Sequence, residues 1–399
     1  MKTNVFLFAA LGTALLSSCN NDSVPVNSEN GEVKTARIEL TLMGSSATRT
    51  GSTTDPSTGV ATDEQTVNNI VVGIFNGSGD VLTVQSNNSP STSVANVITC
   101  PLNAGSTYDN CSAVVVANVP ASSITDLKSS TSKVDFLGKT ISLSESTVSA
   151  SGDVQVATKL PMSGDVKDGS NATFTLTPGG TKTGLAVVLV RMASRITLTG
   201  ISADFSSSPY PNAKFKLERV LLRDAISTTK VTTSATASDA MPTGATYLTG
   251  GWDGSSWVDT ANPYLFNISS YELTGSSALP GGNYYWFYAF ANSGSSQPTS
   301  FVIQGTFDED GDFSTTGDAS TKYYPVVVNQ MQPGTTIDGT AYAGTSTTGS
   351  ISRNKLYNLK VALKNKGTSA PTENINPADL SITVTVAAWP AAIVQVVEF

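Results

Sequence analysis

Arg37-Ile38-Glu39-Leu40-Thr41-Leu42-Met43 decides how the chain is to be read. Ile38, Leu40 and Leu42 fall on one face and Glu39 and Thr41 on the other, the period of two that marks a half-buried β-strand rather than a helix. Gly44 to Glu64 then holds Ser, Thr, Gly, Asp and Pro with almost nothing to bury, which reads as an exposed loop. Arg49 lies inside it. The first apolar strand is thus joined to the rest of the chain only through a long polar segment.

The strand signal recurs downstream. Val67 to Phe75, Val81 to Gln85, Val94 to Thr99 and Ala113 to Asn118 are β-branched runs, the first two separated by the hairpin turn Asn76-Gly77-Ser78-Gly79. Ile124 to Leu137 is the best helical candidate of this half. Phe174 to Leu176 completes a first unit, and Thr177-Pro178-Gly179-Gly180 supplies a boundary. A second unit opens with Leu185 to Ile201 and Phe215 to Arg223, read as a long strand pair like the one that opens the first. Tyr284 to Phe290, Tyr323 to Val328, Leu356 to Leu363 and Leu380 to Val386 come next, before Pro390 breaks the chain. At 399 residues the chain is too long for one ordinary sandwich. The expected fold is all-β with minor helix, in two related β-sandwich units whose likeness is too weak to be called a repeat.

Composition narrows the function. A net charge of −8 gives no electrostatic footprint for nucleic acid or an anionic membrane surface. The chain has no histidine, which removes the commonest general base and metal ligand. No carboxylate pair stands out from turn acids, so an enzyme is not expected, and neither a cofactor nor a metal. Asp308-Glu-Asp-Gly-Asp312 hints at calcium but lacks the spaced ligands and closing glutamate of an EF-hand, and reads as a hairpin turn. Trp252 and Trp257 read as caps of a loop or core edge before a sugar-stacking patch. Arg191 and Arg195 share one face of a strand, by default a solvated or paired face. Cys100 and Cys111 flank a turn-rich stretch and are either bridged or free thiols.

Both termini carry signals of their own. Lys2 precedes the apolar run Val5 to Leu16, too short to span a bilayer, and Leu16-Ser17-Ser18-Cys19 looks like a lipobox in which Cys19 is acylated. Asn20 to Val33 reads as a flexible tether. The other end finishes on Ile393-Val394-Gln395-Val396-Val397-Glu398-Phe399, which would be a sticky edge if left exposed. It is either the last strand of its own sandwich or a strand meant for a neighbour.

The residues just described resemble the fimbrillins, or type V pilins, of Bacteroidales. Ala36-Arg-Ile-Glu-Leu and Ile70-Val-Val-Gly-Ile-Phe look like the family's first strands. Val114-Val-Val-Ala-Asn118 and Leu160-Pro-Met-Ser-Gly164 resemble its recurring internal segments, and Val190-Arg-Met-Ala-Ser-Arg-Ile196 the strand that opens its second domain. Ser352-Arg-Asn-Lys-Leu-Tyr357, Asn358-Leu-Lys-Val361 and Val384-Thr-Val-Ala-Ala-Trp389 are similar to its late strands. The resemblance implies transthyretin-like β-sandwiches in tandem and a pathway. The precursor is lipidated at the outer membrane, an Arg-specific protease cuts it at Arg49–Thr50, and the strand holding Ile38, Leu40 and Leu42 leaves. The donor strand of another subunit, with Ile393, Val394, Val396, Val397 and Phe399, then fills the groove to build a surface fimbria of copies of the chain and other pilus subunits. Arg37 is a competing site that would leave the groove filled.

On that basis the expected divisions are a signal peptide at 1–19, a tether and removable strand at 20–49, sandwiches at 50–182 and 183–389, and a donor strand at 390–399. A fimbrial tip adhesin, or a monomeric surface lipoprotein binding glycan or host protein, are the competing functions.

Overall fold

The computed structural model describes residues 32–43, 62–143, 155–255, 264–276, 279–280, 284–315, 317–330, 335–337, 340–341, 348–375 and 380–388. The first half supplies β1 (Val33–Met43), β2 (Ile70–Phe75), β3 (Val81–Asn87), β4 (Asn96–Asn103) and β5 (Tyr108–Ala117). Two short helices, α1 (Ala121–Lys128) and α2 (Lys133–Gly138), precede β6 (Thr140–Ser142), β7 (Met162–Asp168), β8 (Phe174–Leu176) and β9 (Thr181–Val188). After β10 (Val190–Arg191) come β11 (Ala193–Ala203), β12 (Lys214–Arg223), β13 (Thr228–Lys230) and a helical turn, α3 (Ala237–Ala240). The remainder is β14 (Leu265–Glu272), β15 (Tyr285–Phe290), β16 (Ser300–Asp308), β17 (Ala319–Val327), β18 (Thr335–Ile337), β19 (Thr340–Ala341), β20 (Lys355–Leu363) and β21 (Leu380–Ala388).

The two halves repeat one connectivity. β1 lies between β4, antiparallel, and β9, parallel; β11 lies between β15, antiparallel, and β20, parallel. Both parallel pairings slip register once, at Ile38/Leu40 and at Leu198/Gly200. Facing them, β3-β2-β5-β7 in the first half matches β14-β12-β16-β17 in the second, all neighbours antiparallel. The chain is all-β, built from sandwiched sheets, and the likeness that sequence alone leaves too weak is explicit in the pairing. One difference stands out: β9 is flanked by β7, whereas β20 takes β21 on that side.

This pairing corrects three expectations. β11 and β12 are not partners but belong to different sheets, because each completes its own core face. Thr177–Gly180 is not the crossing between halves. It is a turn with Gly179 at φ 76° and a Gly180 N–H···O bond to Thr177 of 2.9 Å, and it feeds β9 into the first half's sheet. The chain leaves that half only after Arg191, where β10 still pairs with β7. The stretch from Ile124 to Leu137 is two helices rather than one: the first ends at Lys128 with Ser129 as its C-cap, and Ser132 caps the second by accepting from Asp135 N at 3.1 Å.

The expected turn between β2 and β3 is present: Asn76 Oδ1 accepts from Ser78 N and Asp80 N, each at 2.9 Å. β2 is buried along its whole length, because the helices cover the face turned away from the sandwich core. That covering layer, with Phe75, Leu127 and Phe136 from the first half, continues into Tyr288, Phe290 and Leu356 of the second and joins the halves.

Gly164 in β7 is fixed by close approach: a Cβ there would lie 2.2 Å from Val188 O, a backbone atom that cannot swing away. Gly164→Ala is expected to cost about 1–3 kcal/mol through overpacking, read as a lower midpoint of chemical unfolding.

Candidate functional site

β1 is an inner strand. Its backbone is paired along both edges, to β4 from Val33 to Leu40 and to β9 from Arg37 to Met43. Ala36, Ile38, Leu40 and Leu42 are no more than 3% exposed and pack with Ile98, Leu185 and Val187 in the first half's core. The alternation seen in the sequence is therefore the one that fills this core. Among the described residues, the charged side chains on β1 pair only locally, Arg37 with Glu39 at 3.2 Å and Lys34 with Glu32 at 3.4 Å. The strand is held by burial and main-chain hydrogen bonds, which any strand of similar pattern could supply.

The chain from Thr62 onward is held differently. Glu64, 1% exposed, sits in a 3₁₀ turn at Thr62–Gln65. Its Oε1 accepts from Arg195 at 2.6 Å and from the Tyr288 hydroxyl at 2.8 Å, and its carbonyl accepts from Arg191 Nε at 2.9 Å. Arg191 and Arg195, 0% and 1% exposed, are thus buried and paired rather than solvated. Burial lowers the Arg191 pKa to about 10, opposed by the nearby Glu64 charge, and the guanidinium stays charged at neutral pH. Burial first, and then Glu64, push the Tyr288 phenol well above its usual range, so it remains a donor. Gln155 closes the cluster by bonding the backbone of Tyr288 in both directions at 2.6 Å.

The segments that carry the family resemblance converge here. Asn118, in the left-handed region at φ 56°, accepts from Asn68 N at 2.8 Å and donates to Thr66 O at 2.7 Å and Leu160 O at 2.9 Å. Arg353, 5% exposed, donates to Arg191 O at 3.1 Å and also to Thr232 O and Val190 O. Its charge is spread over carbonyls, and burial lowers its pKa to about 10. Residues 62–69 and 190–195 are fastened to one another, and to the loop ends around them, by interactions specific to each side chain.

Cys19, Arg49, Thr50 and the donor residues Ile393, Val394, Val396, Val397 and Phe399 lie outside the described residues, as does Trp257. Trp252 packs edge-on against Tyr323, with ring centroids 6.0 Å apart, in keeping with a core-edge cap. Of the two states open for Cys100 and Cys111, the structure has free thiols in the sandwich core. Burial pushes them to about 12 and about 11 respectively, so they stay protonated and unreactive. No helix among the described residues is long and apolar enough to cross a membrane.

The fold of sandwiched sheets is similar to that of solved fimbrial and adhesion-related proteins. A fimbrilin (FimA) from Porphyromonas gingivalis W83 is 20% identical with a TM-score of 0.58, covering 90% of this chain and 98% of its own. A candidate cell adhesion protein from Bacteroides eggerthii DSM 20697 is 21% identical with a TM-score of 0.56, covering 89% and 96%. Another, from Parabacteroides distasonis ATCC 8503, is 18% identical with a TM-score of 0.56, covering 92% and 100%. Residues 36–199 match the family model described as Major fimbrial subunit protein (FimA). No curated protein matches the chain by sequence.

Removing one member of the buried pair strands the other. Arg195→Ala is expected to lower stability by about 3–5 kcal/mol in denaturant unfolding, whereas Arg37→Ala, whose pair is exposed, changes it by less than about 1 kcal/mol.

Proposed function

We propose that the chain is a shaft subunit of a surface fimbria that polymerises by donor-strand exchange after cleavage at Arg49–Thr50. Cys19 carries lipid during export to the outer membrane. An Arg-specific protease then cuts the polar loop, and β1 leaves with the lipid. Ile393, Val394, Val396, Val397 and Phe399 of another subunit enter the vacated place.

The observation that carries this reading is the contrast across the loop. On the near side of Arg49, β1 is bound by burial and main-chain pairing alone; on the far side, Glu64 is locked into a buried network. A cut between them separates a replaceable strand from a chain end that stays in place. Ala392, Val394 and Val396 repeat the spacing of Ala36, Ile38 and Leu40. Burying Ile38, Leu40 and Leu42 is worth about 5–9 kcal/mol at roughly 1.5–3 kcal/mol each. That is comparable to the whole stability of a domain, roughly 5–15 kcal/mol, so an empty groove is not a resting state. Head-to-tail filling that never closes on itself gives a filament.

Amino-terminal sequencing of subunits from purified fibres is expected to begin at Thr50, with Arg49→Ala cells accumulating lipidated precursor and few fibres by electron microscopy. Fibres whose subunits begin at Cys19 would overturn the proposal. Deleting Ala391–Phe399 is expected to abolish fibres while leaving a soluble monomer after cleavage of the lipidated segment.

A further inference from the structure

The β16–β17 hairpin, at the far end of the second half's sheet, gathers three carboxylates that the fimbrial reading leaves without a role. Asp308 closes β16, Asp310 lies in the turn, and Asp318 directly precedes β17. One oxygen from each lies within 4.8 Å of the other two. The sequence run Asp308 to Asp312 reads as a plain turn because Asp318 is supplied from across the hairpin, beyond the reach of a short motif.

Proximity of acids alone would prove little on an exposed turn. Asp308, however, is 0% exposed. Its Oδ1 accepts from Gly311 N at 2.7 Å, while its Oδ2 is sealed from solvent and has no hydrogen-bond partner. Asp318 likewise keeps a buried oxygen, Oδ1, without a partner. Among the described residues none of the three forms an ion pair, the nearby lysines being engaged elsewhere: Lys366 with Glu309 and Lys214 with Glu272. Buried, unpaired carboxylate oxygens facing like charges are costly unless a proton or a cation lies between them. Burial, the adjoining Asp310 carboxyl and the Asp318 charge together raise the Asp308 pKa, in keeping with missing positive charge.

A proton can bridge one pair of these acids but not all three. A divalent cation can serve all three. Calcium binds oxygen at about 2.3–2.6 Å, so oxygens on one coordination sphere lie up to roughly 5 Å apart, and it accepts water for its remaining ligands. Magnesium, at about 2.0–2.1 Å, demands a tighter and more regular set.

We propose that Asp308, Asp310 and Asp318 bind one calcium ion, which clamps the two ends of the β16–β17 turn together. The site is independent of strand exchange and would hold in a monomer.

Calorimetric titration of the full chain, stripped with chelator, with calcium chloride tests this. The wild type is expected to bind one ion in the sub-millimolar to millimolar range typical of extracellular calcium modules, and to unfold several degrees higher with calcium than with chelator. Asp310→Asn and Asp318→Asn, chosen because neither residue is fully buried, are expected to weaken binding at least tenfold and to lose the thermal shift. A wild type with neither binding heat nor a shift at about 10 mM calcium overturns the proposal. So does binding that both variants retain, which would place the ion elsewhere. A wild type that ignores calcium but gains stability on mild acidification also overturns it, in favour of a shared proton.

Discussion

The constraint on which the rest of the structure depends is that β1 is an inner strand. It fills the space between β4 and β9, and the core of the first half is incomplete without Ala36, Ile38, Leu40 and Leu42. Strand pairing and apolar burial are generic forces: they ask for a period of two, a suitable volume and an unpaired main chain, not for particular residues. β1 is therefore indispensable as a strand and replaceable as a sequence. The segment after the loop is the opposite, since Glu64, Asn68 and Asn69 engage named partners on other elements.

The internal duplication sharpens the contrast. β11 occupies in the second half the place that β1 occupies in the first, down to the slipped register beside its parallel neighbour. Yet β11 comes within two residues of β10 and carries Arg195, which is locked to Glu64. One architecture thus appears twice, once with its central strand separated from the rest of the chain by a long polar segment and once with that strand pinned at the junction. β21, the last described strand, closes the second half beside β20 and leads directly into 389–399.

Much of the fold is legible in the sequence because period-two alternation survives wherever one face is buried. β1, the turn at Asn76–Gly79 and most later strands can be read from that pattern alone. Features that depend on long-range pairing cannot. Sequence leaves Arg191 and Arg195 as a solvated or paired face because their partner Glu64 lies 131 positions before Arg195, after a long polar segment. Their small and apolar neighbours are a signal of burial, but nothing local names the partner carboxylate. Thr177–Gly180 has the composition of a linker and the geometry of a tight turn, and only the pairing of β9 with β1 distinguishes them. The helical stretch from Ile124 to Leu137 is divided between Lys128 and Lys133, and of the several serines and threonines there only the bond from Asp135 N marks Ser132 as the second helix's cap.

Whether β1 must leave for subunits to join is the central claim, and stapling it in place tests it most directly. Glu39 and Val97 are opposite one another on β1 and β4, and their side chains turn away from the core. Antiparallel partners stand at Cα separations within the range a disulfide spans. A Glu39→Cys, Val97→Cys protein, cut at Arg49 and oxidised, is predicted to remain monomeric and to polymerise once reductant is added. Polymerisation of the oxidised protein at the wild-type rate would contradict the account.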